Sequence, residues 1–120
     1  METLIISGSR HITDEELVVR AVKEVIGDSN PTIYVGCAKG VDRIVRNNFN
    51  CRVFSADWKK YGKSAGPKRN KEMIDARVGV TTLLAIPIKS SKGTIHAIGY
   101  AMSLGDITVI TKEYNEGAGG

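Results

Sequence analysis

The chain has 120 residues, with 17 Lys and Arg against 13 Asp and Glu, a net charge of +4, and 42% hydrophobic and 25% charged residues. A chain of this size and ordinary composition builds one domain with a real core, which excludes a disordered segment and a two-domain arrangement. Cys37 and Cys51 form no C-x-x-C and have no neighbouring histidine, and no apolar run approaches the roughly 20 residues of a membrane span, so no metal, disulfide framework or membrane partner is expected.

Thr3-Leu4-Ile5-Ile6-Ser7 is a continuous apolar run, too short for a helix and bounded by Gly8, which predicts a central parallel strand buried on both faces. With no signal-peptide pattern ahead of it, the protein is expected in the cytoplasm. The turn Gly8-Ser9-Arg10 follows. Thr13 and Glu16 have capping-box spacing, and Leu17, Val18, Ala21, Val22, Val25 and Ile26 recur at helical spacing up to Gly27. After the turn cluster Asp28 to Pro31, Thr32-Ile33-Tyr34-Val35 reads as the second strand. It runs into Gly36-Cys37-Ala38-Lys39-Gly40-Val41-Asp42, a glycine at each end of a short turn, and then into an amphipathic helix over Val41 to Phe49.

Cys51 to Ser55 reads as a third strand, and Ala56 to Gly66 as a long polar and aromatic loop carrying the only Trp, Trp58. Pro67 is placed to open a helix that continues through Val78. Val80 to Ile86 repeats the pattern of a buried strand. Lys89 to Thr94 makes another polar glycine turn, a helix runs from Ile95 to Leu104 and stops at Gly105, and Ile107 to Ile110 is the last strand. Asn115 to Gly120 has no core-forming residue and is expected to be a flexible tail.

Strict alternation of five strands with about four helices predicts an α/β, three-layer domain over residues 1–114 with a mainly parallel sheet and helices on both faces. Ligands of such sheets bind at the carboxyl ends of the strands. Four turns fall there: Gly8 to Arg10, Gly36 to Asp42, Asp57 to Asn70, and Lys92 to Thr94. The basic excess falls there too, since Lys59, Lys60, Lys63, Lys68, Arg69 and Lys71 against Asp57 and Glu72 carry a charge equal to that of the whole chain.

Gly8-Ser9-Arg10, Gly36-x-Ala38-x-Gly40-Val41-Asp42, Ala56-Asp57-Trp58-x-x-Tyr61-Gly62-Lys63-x-Ala65-Gly66-Pro67-x-Arg69-Asn70 and Gly93-Thr94 together resemble the YspA/YpsA-related branch of the SLOG superfamily. That superfamily groups the Smf/DprA fold with the LOG phosphoribohydrolases. The resemblance spans about Ile5 to Gly105, with Asp57 to Asn70 its most specific block. It implies a Rossmann-like domain that binds a nucleotide or nucleotide-derived ligand, such as a relative of ADP-ribose, NAD or a cyclic nucleotide. It also implies self-association as a dimer or higher, and a prokaryotic or phage setting; a phage-encoded protein would act in the host cytoplasm, sequestering or sensing a signal. LOG enzymes carry Pro-Gly-Gly-x-Gly-Thr-x-x-Glu with a catalytic Glu. Here the glycine pair is missing and Ala97 occupies the Glu position, so LOG-type hydrolysis is not implied and no catalytic residue is assigned.

The expected binding residues divide by chemistry. Backbone N–H groups from Cys37 to Gly40 and at Gly93 and Thr94 suit phosphate, Arg10 and Arg69 offer bidentate donors, and Lys39, Lys63 and Lys92 offer point charges. Gly8, Ser9, Gly36 and Asn70 complete the turns. Asp42 is read as a ribose acceptor or as the fixer of its turn. Trp58 and Tyr61 are read as base-stacking platforms, loop anchors or interface residues. No cofactor is required by this reading. Hydrolysis of a nucleotide derivative, with Asp42 and Asp57 as the available acids, and binding of single-stranded nucleic acid in the DprA manner remain the alternatives.

Overall fold

In a computed structural model, which describes residues 1–88 and 91–114, the sheet has the order β3-β2-β1-β4-β5, with every pairing parallel. The strands are β1 (Thr3–Gly8), β2 (Thr32–Gly36), β3 (Arg52–Phe54), β4 (Thr81–Ile86) and β5 (Ile107–Thr111). The expected tail over 115–120, and Lys89 and Ser90 of the fourth turn, lie outside the described residues.

The continuous apolar runs form the middle of the sheet, as buried parallel strands require. On one face, Leu4, Ile6, Val35 and Leu84 pack with α1 (Glu15–Ile26) and α2 (Val41–Asn48). On the other, Ile5, Tyr34 and Leu83 pack with α4 (Ala65–Asp75) and α5 (Lys92–Leu104). Period-2 alternation along β1 thus feeds two separate cores, giving the expected three layers. The chain leaves β1 toward β2 and β3, then crosses back to β4 and β5. The strand order reverses at β1 and β4, and their carboxyl ends face the rim where the turns gather.

Three local expectations change. The α1 cap is Asp14, whose carboxylate accepts from the Leu17 N–H at 3.1 Å, rather than Thr13. The segment read as a loop is helical: Asp57 accepts from the Lys60 N–H to cap the short helix α3 (Trp58–Tyr61), a 3-10 turn covers Gly62–Ser64, and α4 begins at Ala65. Pro67 is then the third residue of α4, still in the first turn, where a missing N–H costs nothing. Lys92 to Thr94 form the first turn of α5 rather than a loop ahead of it.

Candidate functional site at the carboxyl rim of the sheet

Hydrogen bonds stitch the four predicted turns into one rim. The Ser9 N–H donates to the Ile86 carbonyl at 3.0 Å, and the Val41 N–H donates to the Ser9 carbonyl at 3.1 Å, joining β4, the first turn and the second. Glycine is required at both contact points of that junction. Gly40 has φ +68°, and a side chain there would overlap the Ser9 carbonyl oxygen and crowd the Arg10 backbone. At Gly8, an added Cβ would come within 2.5 Å of the Val41 side chain.

The second turn is braced from three sides. Asp42, 4% exposed, accepts the Ala38 N–H on Oδ2 at 3.1 Å. Arg46 reaches back from α2 and donates to the Gly36 and Ala38 carbonyls at 3.0 and 2.9 Å, following the tilt of helical side chains toward the N-terminus. Arg69 lies over Gly36: a Cβ there would overlap its Nη1 and come within 2.7 Å of Asp42 Oδ2. Burial raises the Asp42 carboxyl above the usual carboxylate range, against the lowering pull of Arg69, the Ala38 N–H and Arg46.

Arg69 also joins the second turn to the third. Its Nη1 donates to the Phe54 carbonyl at 3.4 Å and to Cys37 Sγ at 3.7 Å, while the Ala56 N–H reaches the same sulfur at 3.5 Å. Its Nε donates to Asn70 Oδ1 at 3.0 Å, and Asn70 Nδ2 donates to the Gly93 carbonyl at 3.1 Å, fixing the start of α5. Asn70 is only 3% exposed, and it ties α4 to α5.

The predicted residues therefore sort into a frame and a surface. Gly8, Ser9, Gly36, Ala38, Gly40, Asp42 and Asn70 build the frame, and the Ala38 N–H, expected to face phosphate, is taken by Asp42. Cys37 is half-buried beside Arg69. Arg10, Lys39, Lys63, Lys92 and Gly93 are exposed, whereas the Thr94 side chain is buried. Among the described residues, the N–H groups of Lys39, Gly40, Lys92, Gly93 and Thr94 and the Nη2 group of Arg69 have no protein partner.

Trp58 is 57% exposed and Tyr61 is exposed beneath the Lys60 and Lys68 ammonium groups, 5.2 and 4.7 Å from its ring centroid. The edge of the Trp58 ring lies against Gly66 of α4, 3.3 Å from where a Cβ would stand there. Asp57 is spent as the α3 cap. Arg46 is the site residue that sequence reading passed over, because nothing in its position two turns into an ordinary helix separates it from a solvated Arg.

Two open hollows lie off this rim, along α1, lined by Glu16, Val19, Arg20, Lys23 and Glu24 and, beside them, Lys112. Arg20 and Lys112 there are paired with Glu16 and Glu24 and no glycine turn opens beside them, so the rim is the better-built site. No group of His, Cys, Asp and Glu able to hold a metal ion occurs among the described residues, and no described helix is long and apolar enough to cross a membrane.

No protein-family model matches the chain, and no solved structure matches it. The Gene 61 protein of Mycobacterium phage D29 is 33% identical over 117 aligned positions, covering 88% of this chain and 92% of that protein. The chain therefore belongs to the family of the Mycobacterium phage D29 Gene 61 protein.

Proposed function

We propose that this protein binds a nucleotide or nucleotide-derived ligand at the carboxyl rim of its sheet, and that its family is a SLOG-type branch. The observation that carries the reading is the Gly36 to Asp42 turn. It is held rigid by Asp42, Arg46 and Arg69, yet leaves the Lys39 and Gly40 N–H groups and the Arg69 Nη2 group without protein partners among the described residues. Donors fixed in advance lose little entropy on binding, which suits an anionic phosphate. Lys39 and Lys92 add exposed positive charge on either side. Trp58 offers an exposed ring on which a base can stack, while the Tyr61 ring carries the Lys60 and Lys68 ammonium groups over it.

Binding is favoured over turnover because the rim's two acids are already engaged, Asp42 by the Ala38 N–H and Asp57 by the Lys60 N–H. A phage setting, consistent with the D29 relative, fits a protein that sequesters or senses a host signalling nucleotide.

The test is mass spectrometry of small molecules released on denaturing protein purified from cells. A thermal-shift panel of NAD, ADP-ribose, AMP and cyclic nucleotides accompanies it. An intact nucleotide is expected, with affinity falling on the order of a hundredfold in Lys39→Ala/Arg69→Ala. Unchanged affinity in that variant removes the site.

A second reading rests on the exposed lysines Lys59, Lys60, Lys63, Lys68 and Lys71 around Trp58, a basic and aromatic surface that suits single-stranded nucleic acid. Steeply salt-dependent oligonucleotide binding with no mononucleotide shift selects it.

A further inference from the structure

From Asp57 to Ser64 all eight residues are exposed, the longest such run among the described residues, although all but Asp57 stand in α3 or the 3-10 turn. A helix with no buried face gains nothing from the hydrophobic effect, so its hold is local. That hold consists of the Asp57 cap, the turn at Gly62, the Lys68 ammonium over the Tyr61 ring and the edge of the Trp58 ring against Gly66. A Cβ added at Gly62 would meet nothing within 4 Å, so its φ of +55° serves a bend and no packing. The two ends, by contrast, are fastened at the rim. The Ala56 N–H reaches Cys37 Sγ, the Phe54 carbonyl accepts from Arg69 Nη1, and Ala65, 1% exposed, opens the helix that carries Arg69. A weakly held span between two fixed points moves as a unit.

The span carries a charge of +2, from Lys59, Lys60 and Lys63 against Asp57. It borders a rim that is itself cationic through Arg69 and the exposed Arg10, Lys39 and Lys92. Like charges hold the two apart, and an anion lying between them turns repulsion into attraction. We propose, resting on the nucleotide reading of the rim, that residues 57–64 form a lid that swings about Ala56 and Ala65 and closes over an anion seated there, carrying Trp58 and the three lysines onto it. The anion meets both sets of cations only when the lid is shut, which is the differential contact a ligand needs to shift an equilibrium. Arg69 couples the two events, because one guanidinium holds the root of the lid at Phe54 and offers its unpaired Nη2 to the anion. Access to the rim, and release from it, are then set by this one segment.

The lid carries its own reporters, since Trp58 is the only tryptophan and Lys59, Lys60 and Lys63 are trypsin sites. Without nucleotide, trypsin is expected to cut first between residues 59 and 64, and acrylamide to quench Trp58 readily. Adding ADP-ribose, NAD or AMP, whichever raises the melting temperature, is expected to slow that cleavage at least about tenfold and to shield Trp58. A nucleotide lying directly on an immobile Trp58 would protect it too, so a second arm uses none. Lys59→Glu/Lys60→Glu brings the charge of the span to −2 and is expected to draw the lid onto the cationic rim, lowering acrylamide quenching of Trp58 about twofold, with parent-like quenching restored in about 1 M NaCl. If a nucleotide raises the melting temperature yet cleavage of the lid is unchanged, or if the paired Glu substitutions leave quenching as in the parent, the lid is overturned and the rim reading stands. If none of the three raises the melting temperature, the rim reading falls and closure over a nucleotide falls with it.

Discussion

Asp42 shows how one side chain sets the state of the rim. Its carboxylate is nearly enclosed, carries one backbone hydrogen bond and faces two arginines, and burial still wins over the lowering contributions. The folded state therefore holds the Asp42 proton more tightly than the unfolded chain does. Stability from this group is fully present below the unfolded carboxylate pKa and is lost as pH rises through the elevated folded value. Asp42→Asn keeps an oxygen for the Ala38 N–H but cannot titrate. Urea midpoints measured across the acid-to-neutral range are expected to fall less steeply with rising pH in this variant than in the parent. Equal slopes would mean that another group carries the dependence. Gly36 and Gly40 belong to the same arrangement, since the carboxylate, the guanidinium and the Ser9 carbonyl approach so closely that no Cβ fits at either position.

At the scale of elements, polar sequence conceals short helices that gain their stability at the ends. The α3 segment is rich in Lys with two aromatics, and nothing in its periodicity announces a helix. Asp57 caps its N-terminus, and Gly62 at φ +55° closes its C-terminus. The same logic decides the start of α1, where Asp14 and not Thr13 supplies the cap. Asp14→Ala is expected to cost about 1 kcal/mol in denaturant unfolding, and Thr13→Ala less than about 0.5 kcal/mol. The reverse order would restore the capping box. By contrast, the strands at Thr3 to Ser7 and Val80 to Ile86 were legible because both faces of a central parallel strand must be apolar. The glycines at 8, 36 and 40 were legible as turns for the same kind of steric reason. The hydrogen bonds of Arg46, Asn70 and Arg69 were not, because each joins groups that only the folded chain brings together.

Across the whole molecule, protection should follow the strand order. β1 and β4 are paired on both sides and covered by helices on both faces, whereas β3 is a three-residue edge strand with Arg52 and Val53 exposed. Amide exchange is expected to be slowest at Ile5, Ile6, Leu83 and Leu84, opening only with global unfolding, and fast in β3. Equal protection in β3 and β1 would indicate that the edge is covered by something further.

The pairing of Thr3 with Thr81 has a consequence for how the chain is made. β1 leaves the ribosome 78 residues ahead of the strand that completes its other edge, a delay of roughly 4 to 16 s at ordinary elongation rates. During that interval β1, β2 and β3 can close over α1 and α2, but Ile5 and Tyr34 still wait for the helices that cover their face. A nascent chain of which only the part up to Phe54 has emerged presents a bare sheet face beside an unpaired edge, the combination that recruits chaperones and seeds aggregation.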